Sequence, residues 1–438
     1  MLRERIAKRL MRRRLLALDR LTMMYEGATD PNIIMRLQTE LFNIHWGRAW
    51  GTVPFYAEWR AEHSLPERIG HIDELADFPV LTKAVLSQRM KIVSRTPGIE
   101  RYTLTGGTSG ISTAFPMSGD DARASWRNTH LGRRWNGIEP GDRLFMIWGH
   151  SHLFSATGAW RKQLVRQAKD WAANIDRASA YNLSGRKLDA IEARIRAARP
   201  VYVIGYGSCL AQLCHHLRDA GYDLHDAGVQ RVVNTSETMS PGDATLVKAV
   251  FGCPVINEYG MAEAGVIGYS RGALYPVSVF WNDFALRLHD RRILLTTLGD
   301  RCFPLINYDT EDLSDDAMPA AGSLLEFQSL LGKARDVFTL CDIDGCRHDV
   351  SVVLFDHVLK QIPQLRSLHY ALRKDGGVRI DYFADGAVLN TTYLQARLAE
   401  GLAQEGIRID PDKIEFNPID TPLQTMAGKR VTLKREQT

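Results

Sequence analysis

At 438 residues, 45% of them apolar, the chain is long enough for two or more domains with large buried cores. A net charge of only +4, with 24% charged residues, argues against a dedicated nucleic-acid binder, which would carry a concentrated basic stripe. No run of 18 apolar residues occurs, so no membrane-spanning helix is expected.

The chain opens with MLRERIAKRLMRRRLLALDR, in which Leu2, Ile6, Leu10, Leu15, Leu16 and Leu18 interleave with arginines as in an amphipathic helix. It reads as a surface helix with a solvated basic face; contact with a membrane or polyanion is the alternative. It lacks the apolar core, cleavage site and serine richness of a cleaved presequence. The first hundred residues look mainly helical, with a turn at VPFY (53–56) and a new helix starting at FPVLTK (78–83). From about 100 to 330, short apolar runs alternate with helical patterns. RLFMIWG (143–149), PVYVIGYG (200–207), VQRVVNTS (229–236) and CPVINEYG (253–260) read as strands, with a helix over 184–198. This alternation predicts an α/β fold with parallel and mixed sheets, with ligands beyond the carboxyl ends of the strands. RILLTTL (292–298) and PLINYDTEDL (304–313) follow, then a connector, LLGKARDVF (330–338). The last hundred residues carry strands at LHYALRK and VRIDYF and a helix near 391–405, a small α+β domain.

Six cysteines (209, 214, 253, 302, 341 and 346) form no disulfide framework, and a reducing cytoplasmic setting is expected. Cys341, Cys346 and His348 lack the second ligand pair of a zinc finger and read as packing and surface residues. GHSHL (149–153) starts like a nucleophile elbow, but Leu153 stands where glycine is needed. His215, His216 and Asp219 fall one residue short of an acyltransferase motif and read as polar helix positions. LTGGTSGIST (104–113) has three glycines and five hydroxyl residues, but no lysine to make it a Walker loop. Neither this loop nor GYGSCL (205–210) completes a dinucleotide fingerprint.

What survives is an order of weak signals. The Thr/Ser/Gly loop precedes a strand-end Ser236–Glu237, then EYGMAE (258–263), YDTEDL (308–313), the Gly-Lys-x-Arg-Asp connector (332–336) and Gly428–Lys429. This succession resembles the adenylate-forming superfamily of acyl-CoA synthetases, adenylation domains and luciferases. Within it, VPFY, FPVLTK, GIEPGDR (137–143), IGYGS and NEYGMAE are similar to the phenylacetate–CoA ligase and CapK-like branch. The resemblance runs from about residue 35 to 436. It implies a large N-terminal α/β domain (1–331), a hinge (332–336) and a mobile small C-terminal domain (337–438) carrying the catalytic lysine.

The implied reaction joins a carboxylate to the α-phosphate of ATP, releases pyrophosphate, and then passes the acyl group to a thiol, coenzyme A by default. Two anions meet in the first step, so donors and cations must neutralise the developing charge. On the resemblance, Thr105, Gly106, Gly107, Thr108, Ser109 and Gly110 would hold the β- and γ-phosphates. Lys429 would reach the α-phosphate and the acid, and Glu263 would hold Mg²⁺. Tyr259 would stack on adenine and Asp312 would accept from the ribose hydroxyls, while Ser236, Glu237, Glu258, Gly260 and Lys333 would border the nucleotide. Arg335 and Asp336 would form the hinge. Trp148, His150, His152, Phe154, Tyr206 and Ser208 would line the acyl pocket, favouring an aryl or small polar acid; Trp148 and Phe154 read equally well as core.

Four positions depart from the common pattern: Ile111 replaces a loop lysine, Ala262 a Thr or Ser, Glu311 a glycine, and Lys333 an arginine. A non-catalytic nucleotide or acid binder therefore stays open. So does transfer to an amine, a protein cysteine or a carrier protein, and a homodimer is compatible with the resemblance.

Overall fold

The protein is described by a computed structural model over residues 2–104, 114–148, 159–180, 183, 185–319, 322–333, 337–345, 347–351, 355, 358–359, 362, 364–373, 377–384, 389–404, 407–420 and 433–435. It is an α/β protein with parallel and mixed sheets, as the strand–helix alternation predicts.

Helices dominate the start: α1 (Leu2–Gly27), α2 (Pro31–Thr52), α3 (Pro54–Glu62), α4 (Lys83–Gln88) and α5 (Met90–Val93). α1 exposes Arg5, Lys8, Arg9 and Arg20 and buries Ala7 and Leu18, a surface helix with a solvated basic face. Asp30 caps α2 by accepting from the Asn32 amide, with Pro31 in the first turn. VPFY is not a free turn: only Val53 separates α2 from α3, because Pro54, unable to continue the ladder of α2, starts the next helix. Thr82 caps α4, so FPVLTK does begin a helix.

Strands and helices then alternate: β1 (Arg101–Leu104), β2 (Ala114–Met117), α6 (Gly119–Arg134), β3 (Leu144–Trp148), α7 (Ala159–Ala172), β4 (Ile175–Ser179), α8 (Gly185–Ala198), β5 (Tyr202–Tyr206), α9 (Gly207–Asp219), β6 (Arg231–Thr235) and α10 (Pro241–Phe251). The IGYGS turn expected from sequence is a direct junction instead, since Tyr206 ends β5 and Gly207 starts α9. A run of strands follows: β7 (Val255–Met261), β8 (Gly265–Ser270), β9 (Val277–Val279), β10 (Phe284–His289), β11 (Arg292–Thr297), β12 (Tyr308–Leu313) and β13 (Glu326–Phe327). In the expected connector, Gly332–Lys333 form a short strand, β14. The C-terminal elements are β15 (Val337–Cys341), β16 (Arg347–Ser351), β17 (Leu365–Leu372), β18 (Val378–Ala384), α11 (Thr391–Gln404), β19 (Ile414–Pro418) and β20 (Leu433–Arg435).

The chain divides into two compact units. The first comprises Met1–Leu144, Ala168–Asp176 and Pro254–Leu330. There β7, β8, β9 and β13 pair antiparallel in that order, and β10, β11 and β12 form an antiparallel meander. The second comprises Phe145–Gln167, Arg177–Cys253 and Leu331–Thr438. Its β5 and β6 run parallel, and β5 is buried at every position, the continuous apolar run expected where helices cover both faces. Within the same unit, residues 340–416 close around a core of their own. There Leu394, Leu398 and Leu402, spaced by four along α11, face Tyr370, Ile380 and Tyr382 of the β17–β18 pair. Each buried leucine contributes about 1.5–3 kcal/mol.

Candidate active site

In the first unit, two strands and the turn between β7 and β8 bring the acidic residues together. β7 alternates, so Glu258 and Tyr259 point to opposite faces. Glu258 lies 3.8 Å from the Arg133 guanidinium of α6, both side chains 10% exposed. Tyr259 turns the other way and is buried edge-on against Phe327. Its hydroxyl donates to Asp312 Oδ2 at 2.9 Å. The register then breaks between Tyr259 and Gly260. A side chain at Gly260 would put Cβ 2.6 Å from the Gly265 carbonyl oxygen, so only glycine lets β7 and β8 approach here. The turn that follows carries Glu263, whose side chain is 4% exposed.

β12 supplies the facing groups. Tyr308 and Asp312 both lie buried on this strand, whose register against β11 is irregular between them. The Tyr308 hydroxyl donates to Glu263 Oε1 at 3.3 Å. Burial, followed by the charge of the neighbouring carboxylate, raises both phenols: Asp312 acts on Tyr259 and Glu263 on Tyr308. Both therefore stay protonated and serve as donors to the two acids. The result is a pair of carboxylates, each accepting from a buried tyrosine hydroxyl.

A cation enters this cluster that sequence reading missed. Leu81 bridges to Tyr308 in parallel, its amide donating to the Asn307 carbonyl at 3.1 Å and its carbonyl accepting from the Asp309 amide at 2.9 Å. This bridge sets Lys83 beside β12. Its ammonium donates to Glu311 Oε2 at 3.1 Å and stands 3.8 Å from Glu263 Oε1. As the first residue of α4, Lys83 gains nothing from the helix dipole, so the two carboxylates account for its position. Nothing local marks it: FPVLTK reads as a helix start, and the partners lie 180 and 228 residues further on. Tyr308 was missed for a similar reason, since a tyrosine before an acidic strand reads as ordinary core.

Glu263 and its surroundings suit Mg²⁺. The donor is a hard carboxylate oxygen, and no group of three His, Cys, Asp or Glu that could hold a metal occurs among the described residues. A hard carboxylate oxygen is the donor type by which Mg²⁺ is held where phosphates and water complete its shell.

In the second unit, the parallel β5 and β6 deliver their ends together, as expected of an α/β sheet. The Ser208 amide, in the first turn of α9, donates to Glu237 Oε2 at 2.9 Å, which places a carboxylate at a helix N-terminus. Ser236 adopts a left-handed φ of 65°, and the Asn234 side-chain amide donates to the Glu237 carbonyl at 2.9 Å. The Trp148 and Tyr206 rings meet at a tilt of 42°, their centroids 4.7 Å apart. Burial pushes the Cys209 thiol far up, so it is no nucleophile here.

Several expected site residues lie outside the described residues: Thr105, Gly106, Gly107, Thr108, Ser109, Gly110, His150, His152, Phe154, Arg335, Asp336 and Lys429, together with Ile111 and Cys346. Lys333 is described only as part of β14. Among the described residues no helix is long and apolar enough to cross a membrane.

No protein-family model matches the chain. Phenylacetate–coenzyme A ligase of Escherichia coli (strain K12) is 21% identical over 348 residues, covering 74% of this chain and 77% of that protein. The crystal structure of 2-hydroxyisobutyryl-CoA ligase in the postadenylation state, in complex with R3-HIB-AMP, matches with a TM-score of 0.68 at 16% identity over 91% of this chain and 89% of that one. An anthranilate CoA ligase in complex with anthranoyl-AMP matches with a TM-score of 0.53 at 14% identity over 82% and 73% of the two chains. The chain thus shares the fold of these acyl-CoA ligases and a sequence likeness to phenylacetate–coenzyme A ligase.

Proposed function

We propose that the protein activates a carboxylic acid with ATP, forming an acyl-adenylate and pyrophosphate, and then passes the acyl group to the thiol of coenzyme A with release of AMP. The observation that carries this reading is the tyrosine-held pair Glu263 and Asp312 on adjoining strand ends. In it, Glu263 holds the Mg²⁺ that accompanies the phosphates, and that ion supplies positive charge against them. Asp312 accepts from the ribose hydroxyls, with Tyr259 fixing the orientation of its carboxylate. Lys83 adds a positive charge beside Glu263. Thr105–Gly110 wrap the phosphates that leave after the first half-reaction, and Lys429 brings the charge that Ile111 does not supply. Tyr259 and Gly260 border adenine, and Ser236, Glu237, Glu258 and Lys333 complete the surroundings of the nucleotide.

The acid is aryl or small and polar, received near Trp148, His150, His152, Phe154, Tyr206 and Ser208. The large domain spans 1–331, with a hinge at 332–336 and a mobile domain over 337–438. A cytoplasmic setting fits a reaction that draws on ATP and coenzyme A. The test is acid-dependent pyrophosphate exchange into ATP over a panel of carboxylic acids, followed by AMP release with and without coenzyme A. Exchange that requires one acid class, and AMP release stimulated by coenzyme A, is the expected result. ATP binding with no exchange across the whole panel would mean a binder without turnover.

A further inference from the structure

Glu311 is held at a φ of 64°, a backbone region that strains any side chain and that glycine enters freely. Strain of this kind persists where the side chain it places is needed. Here the placed group is a carboxylate. Glu311 Oε2 takes the Lys83 ammonium at 3.1 Å, whereas Glu263 Oε1 stands 3.8 Å from it, beyond hydrogen-bond reach. Glu263 is the more buried acid, its side chain 4% exposed against 31% for Glu311. Attraction to an ammonium is stronger where water is excluded, so without Glu311 the ammonium would close on Glu263. Asp309 could not take its place, because it is engaged by Arg292 at 2.7 Å and by the Glu311 amide at 2.8 Å.

We propose that Glu311 is a positioning residue: it draws Lys83 off Glu263 and leaves that carboxylate available to the Mg²⁺ that arrives with the nucleotide. The inference rests on the acid-activation reading. A glycine at this position would relax the backbone but would leave the ammonium free to compete with the metal ion.

Calorimetric binding of α,β-methylene-ATP to the full chain across a Mg²⁺ titration tests this without turnover. Glu311→Gln removes the charge and keeps the shape; Glu311→Gly also removes the strain and guards against a glutamine variant that folds poorly. Each is expected to raise the Mg²⁺ concentration at half-saturation roughly two- to fivefold, the range of a partly exposed ion pair. Adding Lys83→Met to Glu311→Gln should bring it back to the wild-type value, because no ammonium then competes. Unchanged Mg²⁺ dependence in both single variants, beside normal nucleotide binding by the wild type, overturns the positioning role and leaves the functional reading intact. A shift that persists in the double variant also overturns it, since Lys83 would not be the intermediary. Failure of the wild type to bind the analogue at any Mg²⁺ concentration overturns the functional reading and this inference together.

Discussion

The Tyr259 hydroxyl donates to the Asp312 carboxylate at 2.9 Å, and that bond sets a measurable cost. A hydrogen bond to a charged acceptor is worth about 1.5–3 kcal/mol, so Tyr259→Phe should lower unfolding free energy by that order in chemical denaturation. At Glu311 two small terms oppose each other. Relief of a left-handed backbone is worth about 1 kcal/mol, and loss of a partly exposed ion pair costs up to about the same. Glu311→Gly should therefore leave the denaturation midpoint nearly unchanged, which separates its effect on Mg²⁺ from any effect on folding. His45 offers a pH handle: burial holds its imidazole below the ordinary value. The folded chain then binds fewer protons than the unfolded one, so this contribution is present above pH ~6.5 and is lost as pH falls toward the folded-state value. His45→Gln should flatten stability against pH across that window, and an unaltered slope would rule His45 out as its source.

At the scale of elements, the β7–β8 junction and the approach of FPVLT to β12 build the cluster. Gly260→Ala would push Cβ into the Gly265 carbonyl, and overpacking of this kind costs roughly 1–3 kcal/mol. The expected outcome is lower stability together with weaker nucleotide binding, because the displaced turn carries Glu263. α6 offers a contrast with no site residue on it. The Ser118 and Asp121 side chains form a capping box, with the Ser118 amide donating to Asp121 at 2.6 Å and the Asp121 amide donating to Ser118 Oγ at 3.3 Å. Ser118→Ala should cost about 1 kcal/mol in unfolding free energy. Both features have local causes, a capping pattern and a glycine in a motif, which is why they can be read from the chain. The bridge from Leu81 to Tyr308 has none. Hydrophobic periodicity places Leu81 in a core but says nothing of which strand it meets, and Lys83 follows wherever Leu81 is taken.

Across the whole molecule, the basic α1 and Lys429 make opposite predictions. On the proposed reaction Lys429 supplies the charge Ile111 lacks, so Lys429→Ala should sharply reduce acid-dependent pyrophosphate exchange. Unchanged exchange in this variant would defeat the proposed mechanism. α1 is a poor subject for deletion, since it is tied to its own unit. Arg3 pairs with Asp176 at 3.3 Å, Arg134 with Asp19 at 2.8 Å, and Tyr25 packs among Trp135, Phe280 and Trp281. Reversing the exposed Arg5 and Arg9 to glutamate tests the basic face without opening the core, and exchange activity should be preserved.

Sequence by itself determined the α/β class, most strand positions and the order of motifs, because periodicity, caps and strand-end chemistry are local properties, and it singled out the acids at 263 and 312 as candidates. It also marked Glu311 as an exception, without saying what the exception does. Only the tertiary structure decided that Tyr259 and Tyr308 are the donors to those acids, that Glu258 faces Arg133 instead, and that Lys83 stands between Glu263 and Glu311. Those pairings join residues 45 to 228 positions apart, and no local preference of the chain encodes which distant backbone it will lie against.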